Sequence, residues 1–114
     1  MNDCLFCQIV RGEIPASIVY QDDDVMAFRD IQPAAPVHVL VIPRKHFAGF
    51  ADATEEESLL IGRLARVAAR VAEQEGVAGS GYRSVVNSGP DAQQSVQHLH
   101  LHVLGGRRLT WPPG

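Results

Sequence analysis

Three of the five histidines of this chain alternate with apolar residues, as His98, His100 and His102. Side chains of a β-strand point to opposite faces with a period of two, so the three imidazoles are predicted to share one face, roughly 7 Å apart. A purely structural role would require a polar partner for each buried ring, where an apolar side chain would pack at lower cost. The spacing therefore indicates either a metal site or acid–base and nucleophilic catalysis, and it does not separate the two.

The loop that precedes these histidines favours phosphate chemistry. Residues 87–95 read Asn-Ser-Gly-Pro-Asp-Ala-Gln-Gln-Ser, which offers backbone N–H groups, side-chain amides and hydroxyls without any cation. Dipoles of this kind can hold a phosphate group. The composition alone is that of an ordinary surface loop, but its position directly before the histidines favours catalysis at phosphorus over a metal site.

The sequence predicts that these residues are positioned by an α+β domain built on an antiparallel sheet. Apolar and β-branched runs indicate five strands, and apolar residues at helical spacing indicate one short and one long helix. The predicted strands are 18–20, 25–28, 38–42, 82–86 and 96–104, and the predicted helices are 4–11 and 51–75. Thr54 and Glu57 have the spacing of a capping box near the start of the long helix, and Gly76 is placed to end it.

Length and composition indicate a single globular domain, residues 1–114, with 46% hydrophobic residues and a formal net charge of -3. The basic residues are dispersed, which argues against binding to nucleic acid. No apolar run approaches the ~20 residues that span a bilayer, so no membrane contact is expected. The first residues also lack the basic start and long apolar stretch of a signal peptide, so we expect a cytoplasmic protein.

The run QSVQHLHLHVLGG at residues 94–106 resembles the signature of the histidine triad (HIT) family. The tail RRLTWPPG at residues 107–114 is similar to the C-terminus of the Hint branch of that family. Further similarity lies at residues 28–31, 35–38, 41–46 and 82–87. The resemblance implies the HIT fold, a five-stranded antiparallel sheet with one short N-terminal helix and one long helix. It also implies a two-fold homodimer with the tail near the dimer interface.

The same resemblance implies a hydrolase that binds purine mononucleotides and cleaves the P–N bond of nucleoside 5′-phosphoramidates, and also acyl-nucleotides. By position, His100 would attack the α-phosphorus to form a nucleotidyl-histidine intermediate, and His102 would hydrogen-bond the phosphate. His98 would orient His100 through its backbone. His38 would stand in the relay behind it, and Ser95 would contact the phosphate or the leaving amine. A covalent intermediate of this kind divides a difficult hydrolysis into two transfers.

The resemblance also assigns residues that bind the nucleotide. Asp30 would accept hydrogen bonds from the ribose hydroxyls, Asn87 would face the α-phosphate, and Gln94 would contact phosphate or the leaving amine. The base would be enclosed by Leu5, Phe6, Ile9, Phe28 and Ile31. Two departures from the family pattern bear on the leaving group: residues 92–93 are Ala-Gln where two glycines are expected, and Thr110 stands where a related tail has histidine.

Cys4 and Cys7 form a Cys-x-x-Cys pair, which indicates zinc or redox chemistry. The redox interpretation expects a βαβ context, which is missing, and zinc requires two further ligands. Several bacterial HIT proteins look similar and hold zinc with two cysteines and two histidines, which correspond here to His46 and His98. The resemblance therefore implies a closed structural site that would remove His98 from catalysis. Otherwise the cysteines are two thiols of a small hydrophobic helix.

Three other functions stay open from the sequence. A nucleotide-binding regulatory protein with slow turnover would keep the same site, although retention of all three histidines argues mildly against it. A metalloenzyme would hold zinc on the three imidazoles, and zinc that survives removal of Cys4 and Cys7 would support it. A dinucleoside polyphosphate hydrolase would belong to another HIT branch, and the Trp-Pro-Pro-Gly tail favours Hint instead.

Overall fold

The computed structural model describes residues 4–114 and has an α+β fold with a five-stranded sheet. Its helices and strands are α1 (Leu5–Val10), β1 (Ile18–Gln21), β2 (Val25–Arg29), β3 (Val37–Pro43), α2 (Ser58–Gln74), β4 (Tyr82–Val86) and β5 (Leu101–Gly105). The strand order is β1-β2-β3-β5-β4, and every neighbouring pair is antiparallel. The predicted fold class and the number of strands are confirmed.

The central strand, β3, divides the protein into two layers because its side chains alternate between the faces of the sheet. Val39 and Val41 face α2 and belong to the larger core cluster. Leu40 and Ile42 belong to a second cluster on the opposite face, which α1 covers through Phe6. The central strand β3 is therefore buried on both sides, and the face covered by α1 carries the functional residues described below.

The long helix is shorter than predicted. The sequence predicts helix over 51–75, whereas α2 begins at Ser58 and is preceded by two 3-10 turns, Phe50–Asp52 and Glu55–Glu57. The capping box is confirmed: the Thr54 N–H donates to Glu57 Oε1 at 2.9 Å. Because Thr54 has extended backbone angles there, the preceding residues cannot continue the helix.

The last strand also begins later than predicted, and this corrects the expectation that the three triad histidines share one strand face. The sequence predicts strand over 96–104, but β5 begins at Leu101, so His98 and His100 precede it. Pro43, at the end of β3, has no N–H to continue the ladder, and its carbonyl accepts a hydrogen bond from the His98 ring at 2.8 Å. The Leu99 N–H instead donates to the carbonyl of Phe47.

The tail at residues 107–114 has no helix or strand, as predicted. Arg83 on β4 holds it by donating a hydrogen bond to the carbonyl of Thr110 at 2.9 Å. Among residues 4–114, no helix has both the length and the apolar character needed to cross a membrane.

Candidate functional site

A cavity of about 360 Å³ lies on the face of the sheet that α1 covers. Nine of the eleven residues predicted to bind the nucleotide line it: Leu5, Phe6, Ile9, Phe28, Asp30, Ile31, Ser95, His100 and His102. The apolar residues come from α1 and β2, and the rings of Phe6 and Phe28 meet edge to face with centroids 5.4 Å apart. The cavity thus has an apolar end, formed by α1 and β2, and a polar end that carries the histidines.

His100 presents one specific nitrogen to this cavity. Its ring is only 4% exposed, and Nδ1 lies 2.7 Å from the backbone carbonyl of His98. A carbonyl oxygen can only accept, so Nδ1 carries a proton, and in the neutral ring Nε2 carries the lone pair. Phe6 packs against the ring edge to face at 5.1 Å, which limits its rotation. The arrangement presents an imidazole whose ring is oriented and whose Nε2 can act as the nucleophile.

His102 presents the opposite kind of atom, a hydrogen-bond donor. The Ala34 N–H donates to His38 Nδ1 at 3.0 Å, so the proton of the neutral His38 ring must lie on Nε2. That nitrogen is 2.8 Å from His102 Nδ1, which must then accept and leave the His102 proton on Nε2. His102 Nε2 is buried and has no hydrogen-bond partner among residues 4–114. An unpaired buried donor at a cavity wall suits an anionic ligand.

Burial keeps these rings neutral near pH 7. Burial lowers the pKa of His38, although the nearby Asp30 carboxylate acts in the opposite direction. Burial, together with the neighbouring His100 and His38, lowers the pKa of His102 to about 4. Burial also lowers the pKa of His98. For His38, His98 and His102, the tautomer rather than an ionic charge therefore determines which ring nitrogen donates and which accepts.

The loop before β5 brings only part of its predicted set to the cavity. Ser95 lines the wall, but Gln94 and Asn87 do not. The Gln94 side chain accepts from the Gly89 N–H and donates to the carbonyls of Ala48 and Val96, at 2.8–3.0 Å. Gln94 therefore shapes the loop, and its contact with phosphate stays a prediction.

Gln93 explains why the family pattern has glycine in this loop. Its φ of 61° lies in the left-handed region, where glycine is favoured because it has no Cβ. The side chain is exposed, so it does not fill the cavity from this position.

A second cluster brings together Cys4, Cys7, His46 and His98, the four predicted metal ligands. The two cysteines come from the N-terminal segment around α1, His46 from the loop after β3, and His98 from the segment before β5. His98 Nδ1 lies 3.5 Å from Cys4 Sγ, 3.6 Å from Cys7 Sγ and 3.1 Å from His46 Nδ1. Because His98 Nε2 donates its hydrogen bond to the Pro43 carbonyl, Nδ1 is the ring nitrogen that remains to bind a metal.

These distances fit a tetrahedral zinc site. Bond lengths of about 2.3 Å to sulfur and 2.0–2.1 Å to nitrogen place neighbouring ligands roughly 3.3–3.8 Å apart. Four of the six separations between ligand atoms are 3.1–3.6 Å, and all six are within 4.8 Å. Burial and the adjacent Cys4 raise the pKa of the Cys7 thiol, so metal binding would release a proton. Four protein ligands leave no open position for substrate, which is typical of a structural site.

The alternative metal site on the three triad histidines is not supported by the geometry. In the described part of the chain, the ligand groups that converge are the Cys4 cluster and a second set of Asp30, His38 and His102. His98 turns its free nitrogen toward the cysteines, whereas His100 turns Nδ1 toward a carbonyl. The triad rings thus serve two different sites.

Sequence reasoning missed the backbone groups that orient these rings. The Ala34 N–H, the Pro43 carbonyl and the His98 carbonyl each determine one tautomer. It also missed Ile14, Pro15 and Ala16, which line the cavity after α1. A main-chain group has no residue-type signal, and the short apolar segment after Gly12 could not be distinguished from an ordinary loop.

Comparisons with known proteins agree with this geometry. The family model described as HIT domain matches residues 11–109. An uncharacterized HIT-like protein of Synechococcus elongatus is 53% identical over 99% of this chain and 98% of its own length. A 14 kDa zinc-binding protein of Zea mays is 49% identical over 96% of this chain and 87% of its own length.

Among solved structures, a HIT family hydrolase from Legionella pneumophila superposes with a TM-score of 0.95 and 48% identity. The match covers 98% of this chain and all of that chain. The likeness therefore includes both the sheet and the elements that build the cavity.

Proposed function

Because the chain belongs to the HIT domain family, we propose that it hydrolyses the P–N bond of purine nucleoside 5′-phosphoramidates, with His100 as the nucleophile. One observation carries this proposal: His100 Nε2 offers a lone pair, and His102 Nε2 offers an N–H that has no hydrogen-bond partner among residues 4–114. The two rings lie 5.0 Å apart between centroids at the same cavity wall. One atom can attack phosphorus while the other binds a phosphate oxygen.

The nucleotide would enter the cavity with its base between the apolar side chains of α1 and β2. Phe6 and Phe28 offer ring edges and faces to a planar base. Asp30 stands between this region and the histidines and lines the same cavity. Its Oδ1 accepts from the Gln32 N–H at 2.9 Å and its Oδ2 lies 3.4 Å from His38 Nε2, so the carboxylate is fixed next to the histidines. The proposed order is therefore base, ribose and phosphate along the cavity.

In the first step, the His100 Nε2 lone pair forms a bond to the α-phosphorus while the P–N bond breaks. The amine leaves with one proton, delivered from solvent or through the Ser95 hydroxyl. The His98 carbonyl keeps its hydrogen bond to His100 Nδ1–H and stabilises the positive charge on the nucleotidyl ring. The His102 donor stabilises the negative charge that develops on the phosphate.

In the second step, a water molecule attacks phosphorus and the bond to His100 Nε2 breaks. The mononucleotide and a neutral His100 are released, and the proton of the water passes to solvent. A neutral donor at His102 suits both steps, because it binds the phosphate without a charge that would have to be lost on release.

The test is turnover of the His100→Ala variant on an adenosine phosphoramidate. We expect turnover to be abolished while mononucleotide binding is largely retained, because base and ribose contacts come from other residues. Rapid quenching of the unchanged protein should yield one nucleotide covalently attached to the peptide that contains His100. A His100→Ala protein with near wild-type kcat would refute the proposal.

The same turnover assay distinguishes the phosphoramidase from two alternatives, a dinucleoside polyphosphate hydrolase and a regulatory nucleotide-binding protein. A dinucleoside polyphosphate hydrolase would release nucleotide from a diadenosine polyphosphate faster than from a phosphoramidate. A regulatory protein would bind mononucleotide and show negligible turnover on either substrate, or on an acyl adenylate. The buried and oriented His100 favours a hydrolase over the regulatory protein, and the choice of substrate then distinguishes the two hydrolases.

We also propose that Cys4, Cys7, His46 and His98 hold structural zinc. The ion would join α1 to the segments after β3 and before β5, and so support one wall of the cavity. His98 would then contribute to catalysis through its carbonyl rather than through its ring.

The Hint branch and a two-fold homodimer are proposals of the same kind. Among residues 4–114, β4 pairs only with β5, so its other edge is available to a second copy. Trp111 is 80% exposed in the single chain, which a neighbouring subunit would reduce. Light scattering after size exclusion should give twice the chain mass, and a monomer at micromolar concentration would contradict the dimer. The cytoplasmic location stays a prediction.

A further inference from the structure

We propose that Arg107 is a positioning residue that keeps the His38 and His102 protons on the nitrogens needed to bind phosphate. This inference rests on the proposed function, because it concerns the donor that the phosphate would meet. Arg107 lies in the tail and does not line the cavity. It would act through the loop at residues 31–36.

The contact is a short chain of hydrogen bonds. Arg107 Nη2 donates to the carbonyl of Ala34 at 3.0 Å, and the N–H of the same Ala34 donates to His38 Nδ1 at 3.0 Å. His38 Nε2 in turn lies 2.8 Å from His102 Nδ1. A guanidinium in the tail therefore holds the residue whose N–H, together with the Asp30 carboxylate 3.4 Å from His38 Nε2, assigns the tautomers of both rings.

The loop has few other anchors. Ile31 is 93% exposed, and the prolines at positions 33 and 36 have no N–H to bond. The other restraints are the bond from the Gln32 N–H to Asp30, the bond from the Asp30 N–H to the His38 carbonyl, the burial of Ala35 and the packing of Gly106 over Pro36. None of these other contacts bonds the Ala34 carbonyl, so among residues 4–114 the Arg107 bond is what holds that carbonyl directly.

Gly106 directs Arg107 onto this loop. Its φ of 92° is in the region that favours glycine, and a Cβ there would lie 2.9 Å from the Cβ of Pro36. The chain can therefore pass directly over Pro36 only because residue 106 has no side chain. The next residue, Arg107, then reaches back to Ala34.

Loss of the Ala34 donor would leave the Asp30 carboxylate, with Oδ2 3.4 Å from His38 Nε2, as the remaining group that favours a proton on that nitrogen, so a fraction of the molecules could adopt the opposite tautomers. His38 could hold its proton on Nδ1 and accept at Nε2 from a His102 Nδ1–H. The His102 Nε2 would then direct a lone pair, instead of an N–H, at the phosphate oxygen. No proton is gained or lost in this change, since one proton moves on each ring. The electrostatic effect on a bound anion nevertheless reverses from attraction to repulsion.

The adjacent Arg108 provides a matched control. It carries the same charge at the next position, and its backbone carbonyl, rather than its side chain, accepts a bond from Arg107. Arg108→Met therefore removes one positive charge and keeps the Ala34 contact. Arg107→Met removes the charge and the contact together, whereas Arg107→Lys keeps a donor of similar reach.

The experiment measures ring-nitrogen NMR shifts and turnover for these three variants and the unchanged protein, near pH 7.5. We expect Nε2–H tautomers of His38 and His102 in the unchanged protein and in Arg108→Met. Arg107→Met should show mixed tautomers and lose about 10-fold in kcat/KM, the scale of one charge-assisted hydrogen bond. Arg107→Lys should restore part of both.

Unchanged tautomers in Arg107→Met would overturn the proposal whatever happens to turnover. An equal loss of turnover in Arg108→Met, without a tautomer change, would assign the effect to charge alone and also overturn it. If Arg107→Met does not fold, an intermediate tautomer population in Arg107→Lys supports the role and an unchanged one refutes it. A tautomer change in a protein that hydrolyses no phosphoramidate would refute the proposed function and leave the role of Arg107 standing.

Discussion

Removal of zinc should lower the melting temperature of this protein by roughly 15 °C. The perturbation is chelation of the ion proposed at Cys4, Cys7, His46 and His98. These ligands join three segments, since Cys7 and His46 are 39 residues apart and His46 and His98 are 52 apart. The helix α1 has only six residues, too few to be stable without such attachment.

The magnitude follows from two independent arguments. A cross-link that closes a loop of 39 residues in the unfolded chain removes about 4 kcal/mol of chain entropy at 25 °C. If zinc instead leaves on unfolding, free zinc at about 1,000 times Kd contributes about 4 kcal/mol. For 114 residues, about 4 °C of Tm corresponds to each kcal/mol.

The assay combines metal analysis with thermal unfolding. Purified protein should carry one zinc per chain, and a chelator should lower its Tm. A variant with Cys4→Ser and Cys7→Ser is the control, because it should be metal-free and should not respond to the chelator. Metal-free wild-type protein, or a Tm that chelation leaves unchanged, would refute the structural site. Stoichiometric zinc in the double variant would instead support binding at the triad.

Two further predictions concern the cavity. Asp30→Ala should raise KM for a ribonucleotide substrate by about 10- to 100-fold with little change in kcat, because ribose contacts exist before and during the reaction. If Asp30→Ala discriminates against deoxyribose substrates as strongly as wild type, Asp30 is not the ribose ligand. The His102 pKa of about 4 lies below the unfolded value of about 6.5, so the unfolded chain takes up the proton first as the pH falls. As the pH falls from about 6.5 to about 4, the free energy of unfolding should therefore decline by about 3 kcal/mol. Urea titrations of His102→Gln should show a smaller decline. An equal decline in both proteins would contradict this assignment.

Patterns among neighbouring residues in the sequence were sufficient to predict much of the fold. The alternation along β3 divides its side chains between two cores whatever partners it meets, because the strand period is two. The capping box at Thr54 acts between residues three apart, so its spacing alone identifies it. The Cys-x-x-Cys pair brings two thiols to one side of a helical turn for the same reason. Each of these features depends on neighbours along the chain.

Tertiary structure alone decided where β5 begins and which way the triad rings point. The strand predicted over 96–104 begins only at Leu101 because Pro43, 55 positions before His98, has no N–H. The Pro43 carbonyl accepts a hydrogen bond from the His98 ring instead of from a strand partner. The donor of His102 depends on His38, 64 positions away, and on a backbone N–H that no residue type reveals. Sequence spacing describes only directions along one element. A hydrogen bond between distant segments depends on how those elements pack, so the chemistry of each imidazole becomes definite only in the folded chain.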